Sequence, residues 1–171
     1  MSPGFTEFDT AVGRCGIAWD DRAVTGVWLP GTRRLRESVE PPPRVEEVID
    51  AVVALLEGEG RDLSWVALDM EGIPDFDRRV YEVARTIPAG STASYGDIAA
   101  RLGSPNASRD VGRALARNPF AIVVPCHRVV GSGGEVGGFS AAGGVGTKER
   151  LLAIEGSRAA QTSLFDSADH D

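Results

Sequence analysis

The spacing of apolar residues changes character at Gly72-Ile73-Pro74, and that change constrains the chain more than any other feature. Before it, apolar residues come in short runs rich in β-formers; after it, they recur at helical intervals. Residues 15–19 (CGIAW) and 23–29 (AVTGVWL) read as the strands of a hairpin closed by Asp20-Asp21-Arg22, with Phe5 and Phe8 on a preceding strand. Pro41-Pro42-Pro43 bars regular structure. Over 45–57, Val45, Val48, Ile49, Val52, Leu55 and Leu56 then form one amphipathic stripe. Gly58 and Gly60 end it, and 63–69 (LSWVALD) reads as another strand. The expectation for 1–72 is an α/β unit, a small antiparallel sheet plus a helix.

Beyond the boundary the chain reads as mainly α. Phe76, Val80, Val83, Ala84 and Ile87 make one stripe, which Pro88-Ala89-Gly90 stops. A second helix is expected at about 94–102, with Ser94 three residues before Asp97 in the manner of a capping box. Gly103-Ser104-Pro105-Asn106 turns the chain into a third helix at about 107–117, with Val111 and Leu115 facing inward. Two short helices joined by such a turn match a helix-turn-helix, although αα-hairpins that touch no DNA share the pattern. On the third helix, Arg109, Arg113 and Arg117 recur every four residues. Such a stripe is either a solvated face or a set of planar donors for phosphate, and Asp110 beside Arg109 would weaken the second role.

Charge supports neither reading alone. The total of −7 over 171 residues hides segments of −7 (1–72), +2 (73–156) and −2 (157–171), so only the middle one is compatible with a polyanion. No apolar run approaches the roughly 20 residues of a membrane span, and the N-terminus lacks the pattern of a signal peptide. With only two cysteines and no disulfide framework, a reducing, cytoplasmic setting is expected.

The chemistry concentrates in 121–130, AIVVPCHRVV. Taken singly, Cys126 reads as a small core hydrophobe and His127 as a satisfied core histidine. Together, after a proline that imposes a turn, they read as a nucleophile and its base. A free thiol is only a few per cent ionised near neutrality, and the one other histidine, His170, lies in the polar tail. Glu155, ending the apolar stretch Leu151-Leu152-Ala153-Ile154, is the candidate orienting carboxylate. Four Cys and His residues in all give no zinc spacing, so neither metal nor cofactor is expected. Gly131–Gly146 holds eight glycines without a phosphate-loop spacing, which suits close backbone approach to a flat ligand beside Phe139 and Ser140.

The stretches IPAGSTASYGDIAARLG, SRDVGRALARNP, IVVPCHRVVG, GGFS and KERLLAIEG, in order over about 76–156, resemble the 6-O-alkylguanine-DNA alkyltransferases. The resemblance implies a ribonuclease-H-like α/β domain over 1–72 and a winged-helix-like DNA-binding and active-site domain over 73–156, followed by an acidic tail, 157–171. It implies repair of 6-O-alkylguanine, and of 4-O-alkylthymine, by transfer of the alkyl group to Cys126 in one irreversible turnover. In that assignment His127 takes the thiol proton through a water and Glu155 orients His127. Asn118 braces the cysteine turn, and Tyr95 hydrogen-bonds the departing guanine. Arg109 replaces an extruded nucleotide, with Leu115, Val129, Phe139 and Ser140 lining the base pocket. The implied partner is double-stranded DNA, held by the minor groove with its alkylated base flipped, and the protein is expected to be a monomer.

Asp110 and Phe139 depart from the family's usual residues, and 141–147 is slightly long. Two competing readings stand beside alkyl transfer: a sensor that flips alkylated bases without transfer, and a cysteine hydrolase using Cys126, His127 and Glu155. In the tail, Gln161, Leu164 and Phe165 resemble a QxxLF peptide for the replication sliding clamp; packing onto the protein's own surface is the alternative.

Overall fold

The computed structural model describes residues 3–31, 36–134 and 144–157. Strands β1 (Gly4–Thr10), β2 (Gly13–Trp19) and β3 (Val24–Trp28) form an antiparallel sheet in that order. Phe8 stands opposite Cys15 and Ile17 opposite Val27, which sends these four side chains to one buried face, while Phe5 and Trp28 meet on the other. Asp20 closes the β2–β3 turn because its carboxylate accepts from the backbone N–H groups of Arg22 (2.8 Å) and Ala23 (2.9 Å). Helix α1 (Pro43–Leu56) buries Val45, Val48, Val52, Leu55 and Leu56 of the expected stripe, while Ile49 is only partly covered.

Residues 63–69 do not form the expected strand. They pair with the sheet at a single parallel bridge between Val24 and Leu68, through Val24 N–H to the Ala67 carbonyl and Asp69 N–H to that of Val24 (2.9 Å each). Arg85 explains the difference. Its guanidinium donates to the carbonyls of Leu63 (3.1 Å), Ser64 (3.3 Å) and Val66 (2.9 Å), and three carbonyls converging on one cation cannot alternate outward as a ladder requires.

Helix α2 (Asp75–Ala84) turns Asp77, Val80, Tyr81 and Ala84 inward, so the buried face is rotated toward two polar-tipped residues and away from Phe76 and Val83. A two-residue strand, β4 (Ala93–Ser94), leads into α3 (Tyr95–Arg101), and α4 (Ser108–Ala116) follows the Gly103 turn. Cys126–Arg128 form a single 3-10 turn, then β5 (Val129–Val130), and α5 (Gly144–Ile154) completes the described elements. The parallel pairing of β4 with β5, Ala93 opposite Val129, was not legible in the sequence. It sets Tyr95, one residue past β4, beside the turn that carries Cys126.

One hydrophobic cluster runs from Phe8, Ile17 and Val27 through Val52 and Leu55 to Val80, Ile98, Val111 and Leu151. Backbone bonds cross it too: Val27 N–H donates to the Pro119 carbonyl (3.0 Å) and Ala121 N–H to that of Val27 (3.2 Å). The first sheet therefore buttresses the segment entering the cysteine turn. Among the described residues, no helix is long and apolar enough to cross a membrane.

The expected capping box is complete. Asp97 N–H donates to Ser94 Oγ (2.9 Å) and Ser94 N–H to Asp97 Oδ2 (2.9 Å). Replacing Ser94 by Ala should lower the unfolding free energy by about 1 kcal/mol, read as a shifted urea midpoint at unchanged slope.

Candidate active site

Pro125 and Asn118 shape the cysteine turn. Asn118 Oδ1 accepts from Phe120 N–H (2.9 Å), and its Nδ2 donates to the Val124 carbonyl (2.9 Å), so one amide clamps both ends of the loop before Pro125. Inside that loop Ile122, 2% exposed, holds φ +73°, a left-handed conformation costly for a β-branched residue. Strain of about 1–3 kcal/mol persists only where the surroundings over-determine it, here through the Asn118 clamp and the core around Ile122. Cys126 then emerges partly exposed on its 3-10 turn, with its N–H on the Val124 carbonyl (2.8 Å).

Behind the cysteine lies a buried triad. His127 Nε2 stands 2.9 Å from Glu155 Oε2, and the two side chains are 1% and 2% exposed. Arg128 donates to the same carboxylate twice, Nε to Oε1 (2.8 Å) and NH2 to Oε2 (2.7 Å), and its NH1 donates to the Ile87 carbonyl (2.7 Å). Burial alone would raise the pKa of Glu155, but the Arg128 hydrogen bonds and His127 outweigh it and bring the pKa down to about 2. An ionised carboxylate only accepts, so Nε2 must carry the hydrogen. Desolvation pushes the His127 pKa below its usual value despite Glu155, so the ring is neutral and Nδ1 holds a lone pair. Nδ1 is buried and, among the described residues, has no hydrogen-bond partner.

Burial pushes the Cys126 thiol up; a hydrogen bond to Asn118 and the charge of Lys148 pull against it. Lys148 is 1% exposed, with Nζ 3.4 Å from Tyr95 Oη and 5.6 Å from the ring centroid. Desolvation lowers its own pKa, and that of Tyr95 is raised by burial and by the neighbouring cysteine. Sequence reasoning passed over Lys148 and Arg128. The signal for Lys148 was present: it stands three, four and seven residues before Leu151, Leu152 and Glu155, on the inward stripe of α5.

Cys126, His127, Glu155, Asn118 and Tyr95 thus come together, joined by Arg128 and Lys148. Val129 pairs in β5 and Leu115 is 6% exposed, both packed into the hydrophobic cluster. Phe139 and Ser140 lie outside the described residues, as do Gln161, Leu164 and Phe165. The arginine stripe of α4 divides. Arg113 pairs with Asp110 (3.1 Å), Arg117 reaches back to Asp77, and Arg109 is exposed with no partner among the described residues. Among the described residues, no group of three or more His, Cys, Asp and Glu side chains could hold a metal.

The Glu155 pKa falls from about 4.5 unfolded to about 2 folded. Its ionised form therefore stabilises the fold fully above pH 4.5, and that contribution, on the order of 3 kcal/mol, disappears as pH falls toward 2. Glu155→Gln should be less stable at pH 7, because Arg128 loses its counter-charge, and should lose less stability than the wild type between pH 4.5 and 2. Urea unfolding across that range is the measurement.

Residues 75–157 match the family model described as the DNA-binding domain of 6-O-methylguanine DNA methyltransferase. A Mycobacterium tuberculosis protein named methylated-DNA–protein-cysteine methyltransferase is 41% identical over 150 residues, covering 82% of this chain and 88% of its own. One of the same name from Methanothermobacter thermautotrophicus is 39% identical over 142 residues, covering 82% and 78%. The crystal structure of Mycobacterium tuberculosis OGT in complex with DNA superposes with a TM-score of 0.77 at 35% identity, covering 89% of this chain and 92% of that one. The O6-methylguanine-DNA methyltransferase of Pyrococcus kodakaraensis gives 0.60 at 28% identity, covering 90% and 99%.

Proposed function

The chain belongs to the methylated-DNA–protein-cysteine methyltransferase family, and from that membership together with the geometry above we propose that Cys126 accepts the alkyl group of 6-O-alkylguanine in DNA. The observation that carries this reading is the contact of His127 Nε2 with the Glu155 carboxylate, from which the tautomer of the ring follows. With Nε2–H committed to Glu155, the Nδ1 lone pair is the one basic atom of the ring, and it belongs to the residue after the thiol. His127 takes the Cys126 proton through a water, and the imidazolium so formed is stabilised by Glu155. The thiolate attacks the alkyl carbon, the S–C bond forms as the C–O bond breaks, and the electron pair stays on the guanine. Tyr95 donates a hydrogen bond to the leaving base, with the Lys148 charge beside it favouring both anions.

The product is a thioether, which water does not cleave, so each molecule acts once. The resemblance extends the reading to 4-O-alkylthymine. The resemblance assigns 1–72 and 73–156 to two domains sharing one core, with α3 and α4 as a helix-turn-helix in the minor groove. Exposed Arg109 takes the place of the extruded nucleotide, and Leu115, Val129, Phe139 and Ser140 line the base pocket. The protein is expected to act as a monomer.

Incubation with a duplex carrying one 6-O-methylguanine, followed by intact-mass analysis, tests the core claim. One added methyl on the Cys126 peptide, absent in Cys126→Ser, is expected. Tight binding with no mass change would favour a lesion sensor, and more than one product per protein a hydrolase. In the tail, Gln161, Leu164 and Phe165 fit a sliding-clamp peptide. Changing Leu164 and Phe165 to Ala should abolish capture by the purified clamp; unchanged capture, or none by the wild type, discards that partner.

A further inference from the structure

Three hydrogen bonds pin the C-terminal end of α4 to α2. Asp77, 3% exposed, accepts from Arg117 through both oxygens, Nε to Oδ2 and NH2 to Oδ1, each at 2.9 Å. One turn further along α2, buried Tyr81 donates its hydroxyl proton to the Ala114 carbonyl at 2.6 Å. Arg117 ends α4, and the next residue is Asn118, the clamp of the cysteine turn. Arg109 stands in the first turn of the same helix. Eight residues separate it from Arg117, about 12 Å along the axis.

We propose that Asp77 and Arg117 are a positioning pair that fixes the Arg109 end of α4 relative to Cys126, so that a base displaced where Arg109 enters the duplex arrives at the sulfur. The inference rests on the alkyl-transfer reading and deepens it. Tyr81 and the buried Val111 hold α4 against the core, but a residual tilt of about 10° about its C-terminal end would still move the Arg109 end by roughly 2 Å, more than a near-attack geometry tolerates. A bidentate guanidinium–carboxylate pair restricts that tilt, because the fork fixes direction as well as distance. The Arg117 side chain is 56% exposed, so the pair is poorly placed to add stability, while the orientation it imposes does not depend on its burial.

The test follows single-turnover methyl transfer from a duplex with one 6-O-methylguanine, at saturating duplex, alongside duplex affinity and alkylation of Cys126 by iodoacetamide without DNA. Arg117→Gln should slow transfer roughly tenfold, change duplex affinity less, and leave the iodoacetamide rate unaltered. Arg117→Lys, which keeps the charge and loses the fork, should recover only part of the rate. Asp77→Asn, which keeps the volume and removes the charge, should slow transfer in the same way and serves where Arg117→Gln folds poorly. Wild-type transfer rates in Arg117→Gln and Asp77→Asn overturn the proposal, whatever their thermal stability. An equal fall in transfer and in iodoacetamide rate also overturns it, since the pair would then shape the cysteine turn alone. Absence of methyl transfer by the wild type overturns the underlying reading and the pair's role with it.

Discussion

A single buried carboxylate organises this molecule. Glu155 accepts from His127 and twice from Arg128, and three donors on two oxygens are what allow a charge to sit 2% exposed. The arrangement ties distant parts of the chain together. Glu155 follows α5, His127 and Arg128 lie on the cysteine turn, and Arg128 reaches on to the Ile87 carbonyl just past α2. It also decides chemistry, because a carboxylate held ionised on one ring nitrogen leaves the other as a base. Without Arg128, the imidazole would be Glu155's only charge-neutralising partner, and a permanently protonated ring could take no proton from a thiol.

Around that centre, backbone support compensates for strain. Ile122 sits in a left-handed conformation inside a loop clamped by Asn118, and β3 of the first sheet grips the same loop through Val27. The first seventy residues therefore do more than cover the second half: they hold the approach to Cys126. Opposite, β4 and β5 pair over only two residues each, enough to bring Tyr95 alongside. Lys148 supplies the one buried ammonium beside thiol and phenol among the described residues, and it favours the anionic form of the thiol.

The arginines show how burial sorts identical side chains into different work. Arg85 collects the carbonyls of 63–66 and in doing so prevents a strand. Arg113 and Arg117 pair with acids, and Arg109 stays exposed. A net charge counts all of these equally, which is why the surplus of the middle segment said little about a duplex.

Much followed from local chemistry that sequence records directly. Short apolar runs and helical spacing located β2, β3, α1 and α2, the turn-like Asp20-Asp21-Arg22 announced the β2–β3 turn, Ser94 three residues before Asp97 announced the cap, and Pro125 foretold the break before Cys126. These are interactions within a few residues, so order along the chain suffices. The Arg128 share of Glu155, the inward ammonium of Lys148, the Asp77–Arg117 clamp and the loss of the 63–69 strand all join groups 19 to 40 residues apart or depend on which face of a helix is covered. Only packing decides those, because a long polar side chain chooses its partner after the apolar residues have fixed where the backbone runs.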